Sequence, residues 1–345
     1  MKNSGDYFFK SAEKNRASAK YDRALGLYKK ALKFFKRNND VTGVLNCFIS
    51  IADTLRAKGD FIKAQTYYKE GLNLGEILDD TASEADALAG LGLCDRALGR
   101  WKNALEQINK AYRIYKSLND KNGEAFSLWA KAGAYRISGN IKKALQIYQS
   151  SLKKFKSLKN KSGVSYSYCG LGGSSRVAKR FRDSERYYRL ANKNFQELND
   201  RFGLAYSYCG LGNARRMHGD YKQALVFFNR AAKLYKKIGD RVSYAYTLWA
   251  VGAAYKMLGD IRSAMEKFKQ AGMLFRKTND PRGKIYCMLG IGELNYLSSN
   301  KITAKNMFLE SLELADSYGF KIERGYARRL LKALKNKEEF PISLP

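Results

Sequence analysis

Histidine, proline and paired cysteines are scarce in this chain, and acidic residues are outnumbered two to one by basic ones. His218 is the one histidine in 345 residues, and it lies beside the Gly219-Asp220 pair. Neither a histidine-based metal site nor a Ser-His or Cys-His nucleophile pair can be assembled from it. Three prolines occur, two of them (Pro341 and Pro345) in the last five residues. No segment alternates polar and apolar residues as a half-buried strand does. With abundant Ala, Leu, Lys and Tyr, these absences predict an all-helical chain. The cysteines Cys47, Cys94, Cys169, Cys209 and Cys287 form no CxxC pair. Each falls in a helical segment where neighbouring units carry Ala, Ser or Thr, which predicts small buried residues in a reducing compartment. No run approaches the ~20 apolar residues that cross a bilayer. The opening MKNSGDYFFKSAEKNR lacks the apolar core of a signal peptide, so the expected location is the cytoplasm. GxxxxGK(S/T) and strand-linked GxGxxG loops are missing too, and LGLC, GLGGSS and GLGN sit in mid-helix. No catalytic residue, metal site or cofactor is expected, and the chain reads as a binder, not an enzyme.

The acid deficit is the strongest bias in composition. Lys and Arg number 64 against 32 acidic residues, a formal +32. Such an excess favours phosphate polymers, anionic membranes or acidic protein segments as partners. A lysine-rich, solvated outer surface accounts for much of it equally well.

What the chain does have is a repeat of 40 residues that runs without insertion. One turn dipeptide recurs as Gly59-Asp60, Gly99-Arg100, Gly139-Asn140, Gly219-Asp220 and Gly259-Asp260. A second recurs as Asn39-Asp40, Asp79-Asp80, Asn119-Asp120, Asn199-Asp200, Gly239-Asp240 and Asn279-Asp280. Glycine takes the left-handed conformation that ends a helix, and Asp caps the next one. Helical spacing of apolar residues fills the intervals, so the unit is helix, tight turn, helix, short loop. Lys179-Arg180 replaces the Gly-led pair in the fifth unit, where a bend or loosened turn is expected.

Within the unit, Leu248, Val251, Gly252 and Tyr255 on the first helix and Ala264, Phe268 and Ala271 on the second resemble the tetratricopeptide signature, W-x2-L-G-x2-Y followed by A-x3-F. A small residue recurs as Ala52, Gly92, Ala132, Gly172, Gly212, Gly252 and Gly292. It is expected to face the large column Tyr68, Ile108, Tyr148, Tyr188, Phe228, Phe268 and Phe308. The period is 40, against about 34 in the common repeat, and looks like the long-repeat branch that includes kinesin light chains and GoLoco-containing adaptors. The resemblance implies an all-α, right-handed α-solenoid of about eight hairpins in one domain, 1–336. The units are approximately 6–38, 41–78, 81–118, 121–158, 161–198, 201–238, 241–278 and 281–318. A capping helix at 322–335 and a flexible tail at 337–345 complete it.

Each helical residue advances 100°, which sorts the first helices into faces. The face away from the packing residues carries four columns expected to line the inner, concave wall. The first is aromatic: Phe126, Tyr166, Tyr206, Tyr246, Tyr286 and Tyr326. A cationic column reads Arg16, Arg56, Arg96, Arg136, Arg176, Arg216 and Lys256, then breaks at Tyr296. Trp129, Cys169, Cys209 and Trp249 form the third. The fourth is small in the middle (Gly133, Gly173, Asn213, Ala253), with acids Asp53 and Glu293 near the ends. Inter-repeat packing explains the aromatics almost as well as ligand contact. It does not explain a row of seven cations, whose mutual repulsion costs stability unless an anion or local acids compensate.

The expected function is a non-catalytic interaction scaffold. An extended, acidic peptide of a protein partner lies in the groove, against Arg56, Arg96, Arg136, Arg176, Arg216 and Lys256. Its apolar side chains rest on Phe126, Tyr166, Tyr206, Tyr246, Tyr286, Trp129 and Trp249. The carboxylate clamp that some family members use for chaperone C-termini needs paired asparagines. Only Asn213 stands in such a place, so chaperone binding is not expected. The alternative is single-stranded RNA or another polyanion, held by the same groove or by the outer lysines. Self-association is not readable from the sequence.

Overall fold

The computed structural model describes residues 4–344; residues 1–3 and 345, the ends of the expected domain and tail, lie outside that description. Among the described residues there are seventeen helices and no strand. They pair into eight hairpins, from Gly5–Ala17 with Tyr21–Arg37 to Pro281–Leu297 with Lys301–Tyr318, followed by a single helix, Lys321–Lys335. Each helix packs on the one before it and the one after it, and first helices also touch the first helices of adjacent hairpins. This is an α-solenoid.

The turns show why the register never slips. From the second helix on, the residue before the N-cap lies in the left-handed region, whether glycine (Gly59, φ 82°) or not (Asn39, φ 51°; Asp79, φ 53°). Before most of the first helices the next residue caps: the Asp40, Asp120, Asp200 and Asp280 carboxylates accept from the backbone N–H three residues on, at 2.8 to 3.0 Å. Lys179 adopts the same left-handed conformation, φ 60°, and Arg180 donates to the Ser175 carbonyl at 2.8 Å as its counterparts do. The fifth hairpin therefore turns like the others, and the loosened turn expected from Lys179-Arg180 is absent. A lysine in the left-handed region costs roughly 1 kcal/mol relative to glycine, which the surrounding packing supports.

Between the turns, ring fills notch as the sequence predicts. A Cβ on Gly172 would fall 2.8 Å from the Tyr188 ring, and one on Gly212 2.6 Å from Phe228. The same rings are met from the next hairpin as well: a Cβ on Gly210 would lie 2.1 Å from Tyr188. Each ring is thus clamped between two first helices and buried, which contributes about 1.5–3 kcal/mol per ring. A side chain at either glycine would push the hairpins apart.

One feature departs from a chain of nearest-neighbour contacts. The superhelix winds back onto itself. Trp101 Nε1 donates to the Tyr318 carbonyl at 3.1 Å, across 217 residues of sequence. A Cβ on Gly99 would stand 2.8 Å from Phe320 and 2.9 Å from Pro281, and one on Gly59 2.7 Å from Val242. Turns of hairpins two to four thereby abut the loops that open hairpin seven, hairpin eight and the last helix. The inner wall faces a cavity closed along this seam, not an open trough.

Candidate functional site

The cavity has a volume of about 1420 Å³. Arg16, Arg56, Arg96, Arg136 and Arg176 line it together, with Trp129, Tyr166, Tyr206, Tyr246, Trp249, Tyr286 and Asn213. These are residues spaced by forty in sequence, brought to one surface by the strict phase of the hairpins. Phe126 is not in this wall; its ring stacks beneath Trp129 at a centroid distance of 5.8 Å. Arg216 and Lys256 are not in the open wall either, being only 2% and 5% exposed.

The cations of the ladder are not equivalent. At the N-terminal end, Arg16 donates to Glu13 at 2.7 Å and to the Tyr28 hydroxyl at 3.1 Å, and lies 3.7 Å from Asp53. Arg56 donates to Asp53 at 2.9 Å and to the Tyr68 hydroxyl at 3.0 Å. At the other end Lys256 donates to Glu293. In each case the acid stands in the fourth column, one helical turn before a ladder position, where it reaches the ladder residue of its own hairpin, the preceding one, or both. At the centre that column holds Gly133 and Gly173, and Arg96, Arg136 and Arg176 make no ion pair or side-chain hydrogen bond among the described residues. The Arg176 Nη1 atom is buried without a hydrogen-bond partner.

Two tryptophans soften this at the margins. The Arg96 guanidinium lies 5.2 Å from the Trp129 ring centre and that of Arg216 5.6 Å from Trp249. Each such contact is worth roughly 0.5–2 kcal/mol. At the equivalent places beside Arg136 and Arg176 the third column has Cys169 and Cys209. The site therefore concentrates uncompensated charge at two adjacent rungs. Burial alone would lower the Arg136 pKa, but Tyr148, Tyr206 and Tyr188 outweigh it and raise the value; the cost of burying a ladder cation shows at the flanking rungs, Arg216 and Arg96. Burial pushes the Arg216 pKa down to about 10, with Arg176 acting in the same direction. Burial also lowers that of Arg96, and Arg136 and Arg56 add to the effect. Both remain charged at neutral pH, so these are cations that lost hydration without gaining a counterion.

The aromatic column is largely consumed by packing. Tyr166 meets Phe195 edge-on at 4.9 Å and its hydroxyl donates to Asp200 at 2.7 Å. Tyr246 meets Phe275 edge-on at 4.7 Å. Trp129 and Trp249 donate to the Tyr166 and Tyr286 carbonyls, at 3.2 and 3.0 Å. Sequence reasoning missed three further features. Asp200, Asp240 and Asp280 also line the cavity, as helix caps. Arg282 joins the wall, donating to Glu323 at 2.7 Å and to the Tyr286 hydroxyl at 3.1 Å. Finally, the tail expected to be loose lies against the inner wall. Leu344 and Ile342 offer carbonyls to Arg216 and Lys256, both at 2.9 Å. Only the run of apolar residues after Glu339 hinted at this in the sequence.

Residues 83–157 and 164–237 match the family model of the tetratricopeptide repeat. These stretches are tetratricopeptide repeats, and the hairpins on either side continue the same helical pairing. No curated protein matches it by sequence. Among solved structures, it is similar to the Rap conjugation gene regulator of plasmid pLS20 in complex with a Phr peptide, at 14% identity and a TM-score of 0.69, over 87% of this chain and 85% of that one. A Rap protein complexed with competence and sporulation factor superposes with a TM-score of 0.62 at 14% identity, over 96% and 98% of the two chains. A signal-transduction ATPase with a tetratricopeptide sensor from Pyrococcus horikoshii gives 0.53 at 15% identity, over 96% of this chain and 50% of that one. At these identities the likeness is one of fold. No helix among the described residues is long and apolar enough to cross a membrane.

Proposed function

We propose that this tetratricopeptide-repeat protein is a non-catalytic scaffold that binds an extended, acidic segment of a protein partner along its inner wall. The observation that carries this reading is the contrast within one column of cations. Arg96, Arg136 and Arg176 line a shared cavity without carboxylate partners, whereas Arg16, Arg56 and Lys256 have them. An anionic ligand group there gains charge-assisted hydrogen bonds and relieves mutual repulsion at once. The Rap regulator of pLS20, similar in fold, was solved with a peptide bound, which supports a peptide as the occupant. RNA is the weaker reading, because base stacking needs free ring faces and the rings of Tyr166 and Tyr246 are already engaged by Phe195 and Phe275.

Fluorescence anisotropy with labelled glutamate-rich peptides and with homopolymeric RNA, at rising salt, tests this. The expected outcome is peptide binding that falls at least 100-fold in the double substitution Arg136→Glu, Arg176→Glu. Undiminished peptide binding in that variant overturns the assignment of the site, and binding of RNA alone overturns the assignment of the ligand.

A further inference from the structure

The segment that follows the last helix carries more information than a tail. Its sequence is Glu338-Glu339-Phe340-Pro341-Ile342-Ser343-Leu344, acidic and then apolar. Phe340 packs on Tyr296, with ring centroids 4.4 Å apart, and stacks over Phe308 at 6.4 Å. Ile342 is read on both backbone groups: its N–H donates to Glu293 at 2.7 Å, and its carbonyl accepts from Lys256 at 2.9 Å. Two residues on, the Leu344 carbonyl accepts from Arg216 at 2.9 Å. Lys256 and Arg216 are neighbouring rungs of the ladder, one repeat apart. One repeat of the wall thus corresponds to two residues of chain, an advance of roughly 6.6–7 Å when extended. This is how a groove holds a peptide, backbone to wall polar groups and an aromatic anchor in a pocket.

We infer that residues 340–344 are an intramolecular ligand, held in a peptide site made by Arg216, Lys256, Glu293, Tyr296 and Phe308. This rests on reading the inner wall as a peptide groove, and it names the class of segment the groove takes. A partner segment places an aromatic residue between Tyr296 and Phe308 and runs extended past Lys256 and Arg216. Continued at the same pitch, it turns every second backbone carbonyl toward Arg176, Arg136 and Arg96, with acidic side chains beside them within reach of the same guanidinium groups. To bind there it must first displace the tail. A tethered segment competes at millimolar effective concentration, so the resident tail weakens any incoming peptide.

The probe is a fluorescein-labelled peptide with the sequence of residues 338–344, added to the full chain. The natural chain is expected to bind it poorly. Phe340→Ala, which removes the anchor, and Ile342→Pro, which removes the N–H given to Glu293, each vacate the site and raise affinity for the probe at least tenfold. Both changes lie outside the helices, and an unchanged melting temperature for either one suffices to interpret it. Equal, weak binding by the natural chain and both variants overturns the proposal. Because the probe is the chain's own tail, this result does not depend on the acidic peptides used to test the central arginines. Tail binding without acidic-peptide binding would sink the proposed function and leave this site standing. The reverse would sink this site alone.

Discussion

In the first two hairpins the ladder arginines are tied into ion pairs; in the fourth and fifth the same side chain, at the same place in the repeat, has none. The backbone around the two groups is the same helix, the same turn and the same pairing. What differs is one residue a turn earlier: Glu13 and Asp53 at one end, Gly133 and Gly173 in the middle. A Cβ on Gly133 would fall 2.3 Å from the Arg96 guanidinium, so the glycine also leaves the space that this head group occupies. The lesson is that a repeat protein can hold its architecture constant while a single column changes the charge balance of the wall. An acid in that column ties the rung into an ion pair, and on the proposed function its absence leaves the rung for a ligand.

The contrast predicts opposite signs for the same substitution. Arg56→Met strips Asp53 and the Tyr68 hydroxyl of a partner. It should lower stability by about 1–3 kcal/mol, discounted from the figure for a fully buried pair because both side chains are near 30% exposed. Arg136→Met removes a cation with no partner and leaves its hydrocarbon packing in place. It should be neutral or stabilising, up to about 1 kcal/mol. Urea melts of the two variants decide it. A loss of similar size at both positions would mean that Arg136 already has a compensating partner.

Acid separates the two regions more gently. Burial alone would raise the Asp53 pKa, but Arg56, the Tyr68 hydroxyl and Arg16 outweigh it and hold the value below the ordinary carboxylate range. Glu13 is lowered in the same way against its burial, by Arg16, Tyr28 and Ser50. A depressed acid pKa gives stability that is present above the unfolded value, about 4, and is lost as pH falls through the folded value. Below pH ~4, amide exchange in hairpins one and two should accelerate relative to hairpins four and five, whose ladder rungs have no acid to protonate. Uniform acceleration along the chain would contradict this.

Much of this was legible in the sequence. The forty-residue phase fixes which side chains become neighbours, because most turns are spelled by a residue tolerant of the left-handed region followed by a cap. The arginine column, the small-against-large packing and the break at Tyr296 all follow from it. The column of Gly133, Gly173, Asp53 and Glu293 was visible too, but its role was not. Only the geometry shows that an acid there reaches the guanidinium of its own hairpin and, at Asp53, that of the hairpin before. Three things were out of reach. The seam between Trp101 and Tyr318 depends on superhelical pitch, which accumulates from small rotations that no single repeat encodes. The tyrosines were ambiguous, since edge-on packing and ligand contact ask for the same residue at the same spacing. Lys179 showed that a turn held by its neighbours tolerates a residue that isolated turn chemistry disfavours.

The most direct test grafts the missing acid. Gly173 stands in the same register before Arg176 as Asp53 does before Arg56, and a Cβ there would meet only the Tyr188 hydroxyl, at 3.2 Å. Affinity for a labelled glutamate-rich peptide should be measured for the natural chain, Gly173→Asp and the uncharged control Gly173→Asn. The account predicts that the Asp variant folds normally and loses at least tenfold in affinity, while the Asn variant stays within about threefold of the natural chain. Equal affinities for the Asp and Asn variants would contradict it, because the central arginines would then not be what holds the ligand.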